Sequence, residues 1–131
     1  MILVDSAVWI DWLNGRPKPA VALLDRLLEE DIVAIAGVIL QEILQGARGP
    51  AEFEILRAAF SGLVLLLPTE ETYVRAAMLY ARCRWQGVTP RSPHDCLIAQ
   101  TAIEHDVPLL HDDRDFERIA IVESGLKLLR A

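Results

Sequence analysis

Ile2-Leu3-Val4-Asp5-Ser6 is an apolar run that stops abruptly on an acid. A short stretch of this kind suits a strand covered on both faces, as strands of parallel sheets are, and Asp5-Ser6 marks its end. Val8, Trp9, Trp12 and Leu13 then recur with helical spacing until Asn14-Gly15 stops them. After the loop Arg16-Pro17-Lys18-Pro19, the positions of Val21, Leu24, Leu27 and Leu28 predict a second helix ending near Glu30. Residues 32–36 read as the next strand, followed by a helix from Gly37 to Gly46 or Ala47 and another over 50–60. Residues 63–66 form a third apolar run, closed by Pro68, and Thr69 is placed to cap a long helix through Trp85 with Glu70 and Glu71 in its first turn. Residues 107–110 predict a strand, 111–116 lead into a short helix, and 125–129 supply a last strand.

Strands alternating with helices imply right-handed crossovers and a parallel sheet with both faces covered. The expected fold is α/β: a three-layer sandwich whose short, mainly parallel sheet of four to five strands lies between helices. With 131 residues the chain suits one domain, residues 1–131, and 53% apolar residues with a mean hydropathy of +0.28 support a well-buried interior and an apolar self-association surface. No apolar run approaches the ~20 residues of a membrane span, and the first residues lack the basic start of a secretory signal, so a cytoplasmic protein is expected. Cys83 and Cys96 form no CxxC pair and, with three histidines in the chain, offer no zinc framework; they are expected to be packed thiols. A net charge of −6 argues against a generic nucleic-acid-binding surface but permits a local basic rim around an acidic site.

In such a sheet ligands gather beyond the carboxyl ends of the strands. Asp5 follows the first strand and Asp113 follows the strand ending near Leu110, so both belong to that edge. Each has a plainer reading, Asp5 or Ser6 as a helix cap and Asp113 as a turn residue. Asp95 lies in Ser92-Pro93-His94-Asp95-Cys96-Leu97-Ile98-Ala99-Gln100-Thr101-Ala102, where Ser92 caps a helix and Pro93 occupies its first position. There the carboxylate could reach back to the Ser92 N–H, yet at ~100° per residue it also heads the stripe of Ile98, Ala99 and Ala102, with Leu97, Gln100, Thr101 and Glu104 pointing elsewhere. Glu42 is mid-helix, too late to cap, and borders the stripe of Ile39, Leu40, Ile43, Leu44 and Ala47, with Arg48 facing away. Gly46 on the same face costs ~1 kcal/mol relative to Ala in a helix interior, which suggests space kept for something close by.

Acids meeting at one edge repel: at an effective dielectric of ~20 two charges ~4 Å apart cost ~4 kcal/mol, more than capping returns. Either they stay apart or a cation joins them. An oxygen-only donor set favours Mg²⁺ or Mn²⁺, and His94 and His111, without a partner at ligand spacing, read as flanking residues. Arg48, Arg82, Arg84, Arg91 and Arg114 are candidate phosphate contacts, Arg91 and Arg114 lying nearest the acids, and Trp85 is a candidate stacking residue.

These segments together resemble the PIN-domain ribonucleases, in particular the VapC toxins of toxin–antitoxin pairs. The resemblance spans essentially the whole chain: Ile2-Leu3-Val4-Asp5-Ser6 with Val8-Trp9-Ile10-Asp11, Glu42 followed by Gly46, Asp95 with Ile98-Ala99, and Asp113-Arg114-Asp115-Phe116. It implies metal-dependent hydrolysis of RNA phosphodiester bonds, with Asp5, Glu42, Asp95 and Asp113 as the acids that hold divalent metal, Ser6 supporting them and Asp115 auxiliary. It also implies a VapB-like antitoxin as partner and a homodimer, with Trp9, Trp12 and the helices up to Leu28 as a candidate surface for the antitoxin. Two positions depart from the family pattern. Ala7 stands where a second hydroxyl residue is common, and Asp112 offers an extra acid that competes with Asp113 for the fourth place.

Two other readings remain open. One is a PIN-fold module that binds RNA or protein without catalysis. The other is a phosphoryl-transfer α/β protein, which would want Asp-x-Asp after the first strand, where this chain has Asp5-Ser6-Ala7.

Overall fold

A computed structural model describes residues 1–131. In chain order the elements are β1 (Ile2–Val4), α1 (Ser6–Leu13), α2 (Pro19–Glu29), β2 (Val33–Ala36), α3 (Gly37–Gln45), α4 (Pro50–Phe60), β3 (Val64–Leu66), α5 (Glu70–Trp85), α6 (Pro93–Glu104), β4 (Leu109–Leu110), α7 (Arg114–Val122) and β5 (Leu128–Leu129). The strands form one five-stranded sheet in the order β3-β2-β1-β4-β5, parallel throughout. This is the expected α/β sandwich.

The strand order decides where the helices go. From β1 through β2 to β3 the chain advances toward one edge, so right-handed crossovers lay α1 to α4 on one face. From β3 it returns past β1 to β4 and β5, and the same handedness lays α5, α6 and α7 on the other face. The packing agrees: α1 touches α2 and α3, and α3 touches α4, while α5, α6 and α7 pack together. The direction of advance reverses between β1 and β4, which opens a crevice at their carboxyl ends. The Asp5 N–H donates to Leu110 O at 3.0 Å, so the ladder between these two strands carries the first acid level with the end of β4.

Apolar strands and helix stripes meet in one core. Leu3, Val4, Ile35, Leu109 and Leu110 fill the sheet, with Trp9, Leu24 and Ile39 on one side and Ile98, Phe116 and Ile119 on the other. Trp9 is enclosed, with its ring edge-on to Phe60 at a centroid distance of 4.8 Å, which removes it from the surface anticipated for an antitoxin. Its Nε1–H is the one buried side-chain nitrogen or oxygen with no hydrogen-bond partner. Cys83 on α5 and Cys96 on α6 are both buried and free, as packed thiols should be, and burial pushes the Cys96 thiol up to about 12.

The α6 stripe is wider than periodicity suggested. Cys96, Ile98, Ala99, Gln100, Thr101 and Ala102 are all buried, because α6 is wedged against α5 and α7 as well as the sheet. Gln100 and Thr101 therefore point inward, contrary to the expected polar face. The Thr101 hydroxyl donates to Leu97 O at 2.8 Å, and Gln100 Nε2 lies 3.5 Å from Glu104 Oε1. Glu104 Oε2 accepts from Thr72 Oγ1 at 2.9 Å, and Thr72 Oγ1 in turn accepts the Thr69 N–H at the start of α5, also at 2.9 Å. One hydroxyl thus joins the first turn of α5 to the last turn of α6.

Gly46 differs from expectation too. α3 ends at Gln45, so Gly46 is its C-cap and not an interior residue; a Cβ there would meet nothing nearer than Ile43 O at 3.5 Å, and the residue lines the groove beside Glu42.

Replacing Thr72 by Val keeps the shape and removes both hydrogen bonds, leaving the Thr69 N–H and the Glu104 carboxylate without that partner. The expected loss is about 1–2 kcal/mol of unfolding free energy. Urea titration should show a lower midpoint at unchanged slope, and an unshifted midpoint would contradict this role for the hydroxyl.

Candidate metal centre

Four segments converge on the crevice between β1 and β4. Asp5 sits where β1 passes into α1 and is 5% exposed. It holds the N-cap position of α1, but its side chain makes no hydrogen bond of capping geometry to that helix. Burial pushes its carboxyl up to about 7; the negative charges of Asp95 and Glu42 push the same way, against the Ser6 and Ala7 N–H groups. Ser6 follows as the first, half-buried residue of α1.

Asp95 lies in the first turn of α6, half-buried. Ser92 Oγ accepts the His94 N–H at 3.2 Å, so the cap is made without Asp95, which turns toward the other acids. Its carboxyl is pushed up to about 6 by burial, then by Asp113 and Asp115, with Glu42 adding and Arg91 opposing. One oxygen each of Asp95, Asp113 and Asp115 lie within 4.8 Å of one another. Glu42, half-buried on α3, approaches from the other side and reaches Asp5 and Asp95 through its charge.

The chain after β4 supplies the remaining acids. Asp113 caps α7, its Oδ1 accepting the Asp115 N–H at 2.9 Å, while its own N–H donates to His111 Nδ1 at 3.1 Å. That bond and burial engage His111 in the turn, and the exposed His94 lies outside the acidic cluster, as expected for flanking residues. Asp112 is turned outward to Lys18 at 3.9 Å and Arg130 at 3.5 Å. Asp113, not Asp112, therefore faces Asp95.

Arg91 lies directly on this group. Its Nη2 is 2.9 Å from both oxygens of Asp113, and its Nε and backbone N–H each donate to Asp115 Oδ2 at 3.1 Å. Arg118 adds a charge 3.5 Å from Asp115 Oδ1. Burial pushes Asp115 up, but the Arg91 hydrogen bonds and both arginine charges hold it below the usual carboxylate range. Arg114 is exposed and shares the depression lined by Ala7, Arg91, Asp112 and Arg118.

The other candidate cations separate. Arg82 turns away to Val122 O at 2.9 Å and Glu123 at 3.2 Å, bracing α5 against α7. Arg84 and Trp85 are exposed at the far end of α5. Arg48, expected to face away from the apolar stripe of α3, lines the same groove as Glu42, with Ile10, Leu13, Ile55 and Leu56. Lys18 and Arg118 were not singled out from sequence. Arg118 was reachable as the i+3 partner of Asp115. Lys18, 2.9 Å from Asp11, gave no local signal.

The donor set suits a hard divalent cation: carboxylates alone, two of them buried enough to resist ionising beside each other. Asp113 and Asp115 have arginine counter-charges, whereas Asp5, Asp95 and Glu42 share none of comparable closeness. A cation between the two groups would relieve the like-charge repulsion that raises Asp5 and Asp95.

Comparison with known proteins shows what the chain is similar to. A family model described as PIN domain matches residues 2–122. Ribonuclease VapC11 of Mycobacterium tuberculosis is 36% identical over 123 residues, covering 92% of each chain. Ribonuclease VapC19 of the same species is 34% identical over 112 residues, covering 84% of this chain and 86% of its own. Among solved structures, VapBC2 from Rickettsia felis bound to a DNA fragment from their promoter superposes with a TM-score of 0.76 at 20% identity, covering all of this chain and 99% of that one. At that identity the likeness concerns the fold.

The raised carboxyls make stability depend on pH with a definite sign. The folded values of about 7 for Asp5 and about 6 for Asp95 exceed the ordinary aspartate value of 3.8, so between about pH 4 and 7 the unfolded chain has lost protons that the folded chain keeps. Stability is then greatest below the unfolded values and falls as pH rises through the folded ones. Without divalent ions, melting temperature should drop by roughly 5 °C between pH 5.5 and 8, and Asp5→Asn should flatten part of that slope. A melting temperature that is level or rising across this range in the parent protein would contradict the burial assigned to these acids.

Proposed function

The chain belongs to the PIN-domain family, and from that premise we propose that it is a divalent-metal-dependent endoribonuclease, the VapC-type toxin of a toxin–antitoxin pair. The observation that carries the proposal is the cluster of Asp95, Asp113 and Asp115 oxygens within 4.8 Å beside the carboxyl ends of β1 and β4, with Asp5 and Glu42 near enough to act on it through their charge, in a chain 36% identical to a named VapC ribonuclease. Residues 1–131 are read as one PIN domain. Asp5, Glu42, Asp95 and Asp113 would hold the ion, Mg²⁺ or Mn²⁺. Such an ion supplies Lewis acidity to a phosphate oxygen and lowers the pKa of a bound water.

The residues of the chain do the rest. Burial of Asp5 against β4 fixes one end of the site, and the enclosed α6 fixes Asp95 at the other, where its carboxylate can also orient a water. Ser6 supports the site beside Asp5, and Asp115 acts as an auxiliary acid by anchoring Arg91. Arg91 and Arg114 are positioned to contact RNA phosphates, with Arg118 extending the same basic rim. This concentrates positive charge beside the acids in a chain that is acidic overall.

The groove beside Glu42 suits the tail of a VapB-like antitoxin. Ile10, Leu13 and Ile55 are exposed along it, and Arg48, Glu42 and Glu52 supply charge. A second apolar face, with Leu67 and Tyr73 exposed, suits pairing of two copies into a homodimer. No helix is long and apolar enough to cross a membrane, and the proposed setting is the cytoplasm, where RNA is at hand.

Cleavage of a fluorogenic RNA tests the reading. It should require Mg²⁺ or Mn²⁺, stop on chelation, and fall by more than ~100-fold in Asp5→Asn and Asp95→Asn, since loss of a direct ligand should exceed the 10–100-fold typical of outer-shell partners. Intact RNA at all metal concentrations, with a folded parent protein, would favour the non-catalytic binding module. Binding of a VapB-like antitoxin should weaken in Ile55→Asp while RNA cleavage persists.

A further inference from the structure

We propose that Arg91 is a built-in competitor of the divalent ion, a guanidinium that occupies Asp113 until the ion displaces it. The proposal rests on the metal-dependent reading above. It starts from how fully Asp113 is engaged. Nη2 of Arg91 is 2.9 Å from both Oδ1 and Oδ2, so it lies on the bisector of the carboxylate, between the two inward-facing lone pairs. The Asp115 N–H takes a further direction on Oδ1 at 2.9 Å. Of the about four lone-pair directions an ionised carboxylate offers, one outward direction on Oδ2 is left. An ion can therefore chelate Asp113 only by moving Nη2 away.

The remaining contacts make that movement local. The Arg91 backbone N–H is bonded to Asp115 Oδ2, and Asp115 is 3% exposed with Arg118 on its other oxygen. This anchor does not involve Asp113, so the loop before α6 keeps its place when the guanidinium leaves. The Arg91 side chain is 75% exposed, and a pair so open to water is weak enough for a doubly charged ion to displace. Asp95 lies within the same 4.8 Å cluster and takes no hydrogen bond from Arg91, so it remains available as the ion's first foothold. Arg91 is thus a positioning residue. It compensates Asp113 and Asp115, opposes ion uptake, and is released at the rim when the ion arrives.

Calorimetric titration of the full chain with Mn²⁺ alone, without RNA, tests this. Arg91→Gln should bind Mn²⁺ about three- to tenfold more tightly than the parent, because the competing pair and its positive charge are gone. Arg91→Lys, which keeps the charge but has one donor nitrogen and so cannot hold Asp113 and Asp115 together, should fall between them. Arg118→Gln removes an equal charge next to Asp115 without touching Asp113, and should change affinity less than about twofold. Equal or weaker Mn²⁺ binding by Arg91→Gln overturns the proposal, as does an equal gain in Arg118→Gln, which would reduce the effect to general electrostatics. Absence of Mn²⁺ binding in every variant and in the parent would remove the metal-dependent reading along with it. In the parent protein, the ¹⁵N–¹H signal of Arg91 Nε should move on Mg²⁺ addition; a signal that stays still at saturating Mg²⁺ also overturns the proposal.

Discussion

Carboxylates of like charge are held side by side in the crevice between β1 and β4, and most of the local structure is a response to that repulsion. At an effective dielectric of ~20, each pair at ~4 Å would cost ~4 kcal/mol, which is comparable to the whole margin of stability of a small domain. The acids divide into two groups that meet it differently. Asp113 and Asp115 are neutralised from outside by Arg91 and Arg118. Asp5 and Asp95 lack such partners, and burial makes them prefer their protons at mildly acidic pH. A hard cation is the remaining means of keeping all of them ionised at once, and the oxygen-only donor set matches it.

The fold brings the acids together through topology. Because the chain advances from β1 to β3 and then returns to β4, the carboxyl ends of β1 and β4 diverge into helices on opposite faces. The Asp5 N–H bond to Leu110 O sets the level of Asp5 against the turn that carries Asp113. α6, buried on nearly all sides, gives Asp95 little freedom. Glu42 differs: it stands on the rim of an open groove with Arg48 and exposed apolar residues. The rigid side of the centre is thus enclosed by core packing, and its open side is where another molecule can approach.

Arg91 ties the first of these groups together. It is exposed, it comes from a loop, and it spans Asp113 and Asp115 with every donor that faces them. A cation carried by the chain can stabilise an acidic cluster, but on Asp113 it occupies the position that a chelating ion would need. Stability and metal affinity are therefore opposed at this residue.

Much of this was legible in the sequence. The run Ile2-Leu3-Val4 ending on Asp5, the stop after Leu110, the caps at Thr69 and Ser92, and the alternation of elements led to a parallel sheet with acids at one edge, because strand and helix periods and cap chemistry act over neighbouring residues. The quartet was reached through resemblance. What required tertiary structure was every choice made between distant segments. Asp112 and Asp113 are adjacent and chemically identical, and Lys18 and Arg130 on one side and Asp95 on the other decide which faces the cluster. Gln100 and Thr101 are buried because α5 and α7 close over α6, and Arg82 is drawn away by Val122 and Glu123. Local sequence sets the period and the ends of an element. Which of its faces meets another depends on contacts between residues far apart in the chain, and a charge acts through space without regard to sequence separation.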